Sequence, residues 1–358
     1  MRVGILTFPH SPSYGASLQM HALYKAVQDL GATPVILNYQ NRYMQNKNHF
    51  AANRLKAVLM DLVSRRTKSR FRDFEGELGF CPARLRCERD ALVEAAEYLD
   101  RIIVGSDQVW NPAVTGGDTA YYLDFCPDEK KVSYAASFGV SRLEEDFADR
   151  VRPLLSAIPS LSVREEAGRD IVAHLTEREA KVVLDPTFLL TREDWRSLAA
   201  KRPLATRPYI FSFIFNPNAE NTAFRDRLAR ETGLPVLTIS DNPFSRSSET
   251  SLLARGVGPS EFLRLIMDAS YVVTDSFHGT ALSILLNRPF FVTLSTKTNS
   301  RLETLLSRLS LSDRILAEGG ETDVRTPIDY ECVNRMIAQQ REDSLSFLRG
   351  ALFSAGDS

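Results

Sequence analysis

The sequence has little cysteine and almost no excess of charge. Its four cysteines are scattered without a C-x-x-C pair, which argues against a zinc site and against a disulfide framework. The formal net charge is -1, so no global field attracts nucleic acid, and a bound anion must be held by local arginines. No apolar run has the length of a membrane-spanning helix, and the amino-terminal MRVGILTF suits a first strand better than a signal peptide. We therefore expect a cytoplasmic protein with free thiols.

Length and periodicity predict two α/β domains. A chain of 358 residues, 44% apolar and 25% charged, is too long for one ordinary core and has the composition of a globular protein. Strand-like runs alternate with helix-like runs, and the alternation restarts after a turn at Asp185 and Pro186. We expect two Rossmann-like, doubly wound domains that face a cleft, residues 1–188 and 189–358, the second with a C-terminal helix at about 330–348.

Polar residues gather where a predicted strand, Tyr271–Thr274, meets a predicted helix. They are Asp275, Ser276, His278, Gly279 and Thr280. Ligands of open α/β sheets bind at the carboxyl ends of the strands, and the first turn of the next helix offers backbone N–H groups to an anion. We predict that His278, Ser276, Gly279 and Thr280 handle a phosphate or carboxylate. The alternative is that Asp275 or Ser276 caps the helix and His278 is a buried polar residue.

A second polar segment follows the first predicted strand and opens the first helix. It contains Tyr14, Gly15, Ser17 and Gln19. A flexible turn of this kind presents backbone amides to a ligand. Alternatively, Gly15 makes the turn and Ser17 caps the helix.

The third segment, Ile102–Pro112, sends a buried strand into Ser106, Asp107 and Gln108, with Trp110 close behind. A carboxylate at a strand end beside an aromatic ring suits a sugar platform, in which the ring stacks on the sugar and Asp107 is the candidate base. The alternative is an Asp turn with Trp110 packed in the core.

Two arginines are candidate anion clamps. Arg164 directly follows a predicted strand, where it suits a bidentate carboxylate or phosphate contact, or else pairs with Glu165 and Glu166. Arg301 lies in the first turn of a helix whose predicted cap is Asn299. The helix dipole disfavours a cation there unless an anion is bound.

One basic run contains Arg65, Arg66, Lys68, Arg70 and Arg72. It predicts a solvated helix face or, alternatively, peripheral contact with an anionic membrane that carries a lipid-linked acceptor.

Seven motifs, in order and over almost the whole chain, resemble the polysaccharide pyruvyl transferase family. They are YGASLQ (14–19), VGSDQVWNP (104–112), SYAASFG (133–139), SVREEAG (162–168), VLDPTFLL (183–190), TDSFHGTALSILLNRPF (274–290) and NSRLETLL (299–306). The resemblance implies a glycosyltransferase-B-like pair of Rossmann-type domains and phosphoenolpyruvate as the donor. It implies as product a pyruvate ketal on a sugar diol of a bacterial-type cell-surface polysaccharide or its lipid-linked precursor.

The implied reaction gives each candidate residue a role. His278 is the acid and base near neutral pH, and Asp107 takes the acceptor proton or orients the diol. Arg164 on the acceptor domain and Arg301 on the donor domain hold the donor's anionic groups. No metal or redox cofactor is demanded.

The chain departs from the family pattern at one position. Family members tend to carry an arginine two residues before the histidine, where this chain has Ser276. We therefore expect Arg301 and the helix amino terminus at Gly279 and Thr280 to hold the donor phosphate.

Two other functions stay open. One is a glycosyltransferase of the same architecture that uses a nucleotide sugar, and the other is a non-catalytic homologue that binds anions or glycans. The first is weakened because the sequence shows no pair of acidic residues obviously placed to bind the ribose of a nucleotide. The glycine-rich GVGPS at 256–260 follows no predicted strand and is not a dinucleotide fingerprint.

Overall fold

The computed structural model describes most of the chain, with the backbone alone for residues 54–63. The described residues are 1–41, 43–44, 54–81, 89–242, 245–294, 300–316 and 323–353. The chain forms two compact units. Unit 1 contains residues 1–50, 75–190 and 337–358, and unit 2 contains residues 51–74 and 191–336.

Strands and helices alternate along the described chain. The strands are β1 (Arg2–Leu6), β2 (Thr33–Ile36), β3 (Arg101–Val104), β4 (Lys131–Ser133), β5 (Ser162–Val163), β6 (Lys181–Val182), β7 (Ile210–Phe213), β8 (Val236–Ile239), β9 (Ser251–Ala254), β10 (Tyr271–Thr274) and β11 (Phe290–Val292). The helices are α1 (Tyr14–Asp29), α2 (Arg54–Glu75), α3 (Arg89–Glu97), α4 (Pro112–Thr115), α5 (Glu145–Ser156), α6 (Glu166–Thr176), α7 (Arg192–Leu198), α8 (Ala219–Thr232), α9 (Pro259–Asp268), α10 (Phe277–Leu285), α11 (Ser300–Arg308) and α12 (Tyr330–Phe353).

Unit 1 is built on a parallel sheet in the order β2-β1-β3-β4, and single bridges from β4 and the residues after it lead to the parallel pair β5-β6. The strand period of two sends Val3 and Ile103 into one core cluster and Ile102 and Val104 into another. Leu348 of α12 is fully buried in the first cluster. Burial of a leucine of this kind stabilises a fold by about 1.5–3 kcal/mol, so the end of α12 is part of the unit 1 core.

Unit 2 has a five-stranded parallel sheet in the order β11-β10-β7-β8-β9. Ile210 and Val273 of the central strands pack with Phe224 and Leu228 of α8. Asn218 and Asn221 form a capping box that starts α8, and Gly233 in the left-handed region ends it.

Both strand orders contain a switch point, where successive connections leave in opposite directions. In unit 1 it lies between β1 and β3, and in unit 2 it lies between β7 and β10. Ligands of doubly wound sheets bind at the carboxyl ends of the strands at such points. The segments that follow β1, β3 and β10 are those that the sequence analysis selected.

The two compact units differ from the predicted ranges 1–188 and 189–358 in two places. Residues 51–74, most of α2, belong to unit 2, and residues 337–358 belong to unit 1. The chain passes from unit 1 to unit 2 between residues 190 and 191, near the predicted boundary. A strand, β9, also precedes Gly256, where the sequence analysis expected none.

No helix in the described part of the chain is long and apolar enough to cross a bilayer.

The buried His21 of α1 makes the stability of the fold depend on pH. Burial, with a smaller contribution from the charge of Lys25, lowers the pKa of His21 from 6.5 to about 4. Between these values the unfolded chain binds a proton that the folded chain does not, so stability is lost as the pH falls. Between neutral pH and about pH 5, we expect the free energy of unfolding of the wild-type protein to fall by about 2 kcal/mol more than that of His21→Gln. Urea unfolding measures both. His174→Gln, at an exposed site, is the control, and an equal effect of both changes would contradict the assignment.

Candidate active site

The segment after β3 holds Asp107 in a left-handed backbone conformation. Its φ is 79°, a value that residues other than glycine rarely adopt and that costs on the order of 1–3 kcal/mol. The backbone N–H of Gln108 donates to Asp107 Oδ1 at 2.9 Å, and the N–H of Ser137 donates to the Asp107 carbonyl at 3.0 Å. The carboxylate is 17% exposed. A strained, partly exposed acid at a sheet switch point is a candidate functional group.

Arg164, which follows β5, lies at the centre of a cluster of carboxylates and has a fully buried side chain. Its guanidinium is 2.9 Å from Asp185, 3.3 Å from Asp107 and 3.9 Å from Glu165. Burial alone would lower the pKa of Arg164, but Asp107, Asp185 and Glu165 outweigh it and raise the pKa. The guanidinium is committed to these carboxylates, so the predicted role of Arg164 as a clamp for the donor is not supported. The alternative prediction, that Arg164 pairs with Glu165 and Glu166, is confirmed for Glu165, whereas Glu166 forms an ion pair with Arg169.

Hydrogen bonds fix the two fully buried carboxylates of this cluster. Asp185 accepts from the hydroxyls of Ser106 and Thr187, both at 2.7 Å. Glu165 accepts from the Ser137 hydroxyl at 2.8 Å and from the backbone N–H of Phe138 at 3.0 Å. Buried charges of this kind are tolerated because each has several partners. Ser106 is fully buried and therefore supports the cluster rather than touching a ligand.

Ser17 and Gln19, in the segment that follows β1, make internal contacts. Helix α1 begins at Tyr14 with Ser13 as its cap, so the predicted cap at Ser17 is wrong. Ser17 instead donates to Glu75 at 2.7 Å. Gln19 is fully buried and donates to the hydroxyl of Thr7 at 2.8 Å. Gly15 is buried, and Tyr14 is the partly exposed member of the four predicted residues.

Two residues near this segment were missed by sequence reasoning. Glu75, at the end of α2, is 3% exposed and lies 3.2 Å from Nδ1 of His10. The His10 ring stacks on Phe80 at 5.0 Å. Neither residue belongs to a local pattern, because the pairing joins positions far apart in the chain.

Trp110 is a core residue, and the predicted sugar platform is wrong. Its side chain is fully buried, its indole N–H donates to the Tyr121 carbonyl at 2.8 Å, and its ring stacks on Tyr122 at 5.5 Å. Both neighbours come from a 3-10 turn at Thr119–Tyr122 that no sequence pattern identified. Gln108, which is half-buried, accepts from the side chain of Asn111 at 2.8 Å.

In unit 2, the turn between β10 and α10 is organised by its small polar residues. Ser276 is the cap of α10 and accepts from the Gly279 N–H at 3.2 Å, as the alternative reading of this segment predicted. Thr280 is fully buried and donates to the Ser276 carbonyl at 3.0 Å. A Cβ at Gly279 would lie 2.8 Å from the hydroxyl of Thr274, so the packing requires glycine.

Asp275 accepts from the backbone N–H groups of Phe215 and Asn216, both at 2.8 Å, and thereby ties the end of β10 to the segment after β7.

His278 lies in the first turn of α10 and is 8% exposed, with its ring edge-on to Phe277 at 5.2 Å. Arg301 is half-buried in the first turn of α11, a helix that contacts α10. Its predicted cap, Asn299, lies outside the described residues. Each of these two side chains stands at the amino terminus of its helix, where the backbone dipole favours an anion.

The predicted site residues belong to two groups, one in each compact unit. Ser106, Asp107 and Arg164 are brought together in unit 1, and Ser276, His278, Gly279 and Thr280 in unit 2. Among the described residues, no group of three or more His, Cys, Asp or Glu side chains is arranged to hold a metal ion.

A sequence model of the polysaccharide pyruvyl transferase family matches residues 14–296. The chain belongs to this family. The matched range includes Asp107, Arg164 and His278 and ends before Arg301. No curated protein matches the chain significantly.

Solved structures show that this pyruvyl transferase family member has a glycosyltransferase-B-like fold, as predicted. A putative UDP-N-acetylglucosamine 2-epimerase from Listeria monocytogenes superposes with a TM-score of 0.52 at 13% identity, over 98% of this chain and 90% of that chain. The UDP-GlcNAc 2-epimerase from Neisseria meningitidis, bound to UDP-GlcNAc, gives a TM-score of 0.51 at 11% identity, over 97% and 94% of the two chains. These similarities show the fold alone.

We expect Arg164→Met to destabilise the pyruvyl transferase family fold by about 3–5 kcal/mol, because it leaves buried carboxylates without their cation. Methionine keeps the apolar stem of the side chain, so the loss reports the guanidinium, with its charge and its hydrogen bonds. The control is Arg169→Met, an exposed arginine whose removal is worth about 0.5 kcal/mol or less. The free energy of unfolding in urea measures both, and similar values for the two variants would show that Arg164 does not hold the cluster together.

Proposed function

We propose that the protein transfers a pyruvyl group from phosphoenolpyruvate to two hydroxyls of a sugar and forms a pyruvate ketal. The acceptor belongs to a bacterial-type cell-surface polysaccharide or its lipid-linked precursor. The observation that carries the proposal is the position of His278, within the family match and in the first helical turn at the switch point of unit 2.

The proposed reaction needs proton transfers at carbon and at oxygen. A proton is added to the methylene carbon of phosphoenolpyruvate, and the first sugar hydroxyl attacks the adjacent carbon and loses its proton. The second hydroxyl then replaces the phosphate at that carbon and also loses its proton. Phosphate leaves as inorganic phosphate, so the products are one ketal and one phosphate.

In this proposal, His278 delivers the proton to the methylene carbon. An imidazole changes its charge near neutral pH, which suits a group that gives and takes protons. The first turn of α10 adds the positive end of a helix dipole, where the phosphate and its departing charge are stabilised. Arg301, in the first turn of the adjacent α11, supplies a positive charge for the donor, in place of the arginine that this chain lacks at Ser276.

Asp107 is the proposed acceptor base. Its carboxylate is partly exposed, and its backbone and side chain are both fixed, by the left-handed turn and by Arg164. A fixed carboxylate can take a proton from a hydroxyl without reorganisation. We therefore assign Arg164 the task of positioning Asp107 rather than contacting the donor.

We also propose that the protein works in the cytoplasm, where phosphoenolpyruvate is available, without a metal or redox cofactor. A lipid-linked acceptor would bring it to the inner membrane face as a peripheral protein. The alternative function is a glycosyltransferase that uses a nucleotide sugar. The observation in its support is the fold likeness to nucleotide-sugar epimerases.

A ligand panel separates these two functions. A ligand that binds only the folded state raises its melting temperature, so we expect phosphoenolpyruvate to stabilise the protein and UDP sugars to leave it unchanged. Differential scanning fluorimetry at equal ligand concentrations measures both. Stabilisation by UDP sugars alone would favour the glycosyltransferase and contradict the proposal.

The second test removes the proposed acid. We expect His278→Ala to lower phosphate release from phosphoenolpyruvate plus acceptor by roughly 10²–10⁴-fold, because general acid–base catalysis contributes that much. Over the same incubation, mass spectrometry of a panel of glycosides should show the pyruvyl group on the acceptor with the wild-type protein and with His174→Ala, but not with His278→Ala. Circular dichroism checks that the variant is folded, and His174→Ala, at an exposed site, is the matched control. Unchanged turnover in His278→Ala would remove His278 from the mechanism.

A further inference from the structure

Unit 2 contains a strongly basic pocket whose lining includes no residue of the turn at His278. Its volume is about 570 Å³, and its walls come from α2, the segment after α7, β9 and the start of α9. Five cations and one carboxylate line it. They are Arg66, Arg70, Lys201, Arg202, Arg255 and Glu261.

The packing of α2 fixes two of these arginines in place. Gly256 has a φ of 59°, and a Cβ there would lie 2.7 Å from Cδ of Arg66. A Cβ at Gly258 would collide with Arg70. The glycines of GVGPS therefore make room for the arginine stems. Asp241 also ties α2 to this segment, because it accepts from the Thr67 hydroxyl at 2.7 Å and from the Gly256 N–H at 2.8 Å.

Only one of the five cations is neutralised by a carboxylate that lines the pocket. Arg70 is 3.2 Å from Glu261 and also donates to the Gly256 carbonyl at 2.5 Å. Arg255 donates to the carbonyls of Asn242 and Ser245, which are uncharged acceptors and leave its positive charge uncompensated. Within the described part of the chain, no hydrogen bond or ion pair is formed by the charged ends of Arg66, Lys201 and Arg202. Four positive charges therefore face one concavity.

This excess charge calls for a ligand with several negative charges. The pocket volume falls in the range of about 300–1,000 Å³ that holds small ligands. Arginine side chains match phosphate oxygens in a bidentate way, and lysine adds a point charge. A concave site of this size fits a compact polyanion better than the flat surface of a bilayer. With a net charge of -1, the whole chain also lacks the basic field typical of nucleic-acid binding.

We propose that this pocket binds the diphosphate group of an organic ligand. Two sources have this chemistry, a polyprenyl diphosphate that carries a glycan in the membrane and a soluble nucleoside diphosphate. The first would make the pocket a holder for the lipid-linked acceptor, and that identification rests on the proposed function. Binding of the diphosphate itself does not, since it is measured without phosphoenolpyruvate or acceptor.

Calorimetry with inorganic pyrophosphate at low ionic strength tests the site. We expect the wild-type protein to bind pyrophosphate and the double variant Arg66→Ala, Arg202→Ala to bind it at least tenfold more weakly, because each lost cation removes a charge-assisted contact. The control is Arg65→Ala, which removes the same charge from the adjacent residue of α2, outside the pocket, and should change the affinity by about twofold or less. Absence of binding to the wild-type protein, or equal losses in all variants, would overturn the proposal.

Vesicle sedimentation then distinguishes the sources. Phosphatidylcholine vesicles that contain a polyprenyl diphosphate should retain the wild-type protein, and pyrophosphate should release it if the lipid is the ligand. Binding of pyrophosphate without such retention assigns the pocket to a soluble diphosphate. Retention on vesicles of phosphatidylcholine and phosphatidylglycerol that the double variant abolishes and pyrophosphate does not reverse would overturn the proposal in favour of a general membrane contact. If the wild-type protein binds pyrophosphate but shows no pyruvyl transfer, only the assignment of the pocket to a lipid-linked acceptor is rejected.

Discussion

The unit 1 site depends on the buried guanidinium of Arg164. One cation lies among the carboxylates of Asp107, Asp185 and Glu165. Each of these acids comes from a different sequence motif. Burial of Arg164, Asp185 and Glu165 removes most of the screening that water gives to charges, so their ion pairs and hydrogen bonds must be formed together. This requirement joins the segments that follow β3, β4, β5 and β6, and Asp107 is the member of the cluster that reaches solvent.

The sequence predicts much of the fold because strand and helix periodicity is a local property. Strands such as Arg101–Val104 and Tyr271–Thr274, and the helix Ala219–Thr232, lie where the pattern places them. The short β9 was missed, since four residues with mixed burial carry little periodic signal. The assignment of α2 to unit 2 could not be predicted either, because it depends on packing between segments that are remote in sequence.

The predicted site residues divide according to what decides their role. The carboxyl ends of strands are recognisable from sequence, and this is why Asp107, Arg164 and His278 were selected. The direction in which a side chain points cannot be recognised from sequence. Trp110 and Ser17 were expected to face a ligand, yet their partners Tyr121, Tyr122 and Glu75 draw them inward. Polar residues at strand ends are thus recognisable as candidates, while the division between residues that can contact a ligand and residues that support them needs three-dimensional information.

The left-handed backbone at Asp107 restricts which amino acids can occupy this position. Glycine and asparagine tolerate this backbone but bring no negative charge to the guanidinium. Glutamate brings the charge, but its extra methylene would displace the carboxylate from its present 3.3 Å contact with Arg164. The backbone conformation and the charge are separate requirements, and aspartate alone meets both, so few substitutions at position 107 would keep the ion pair with Arg164.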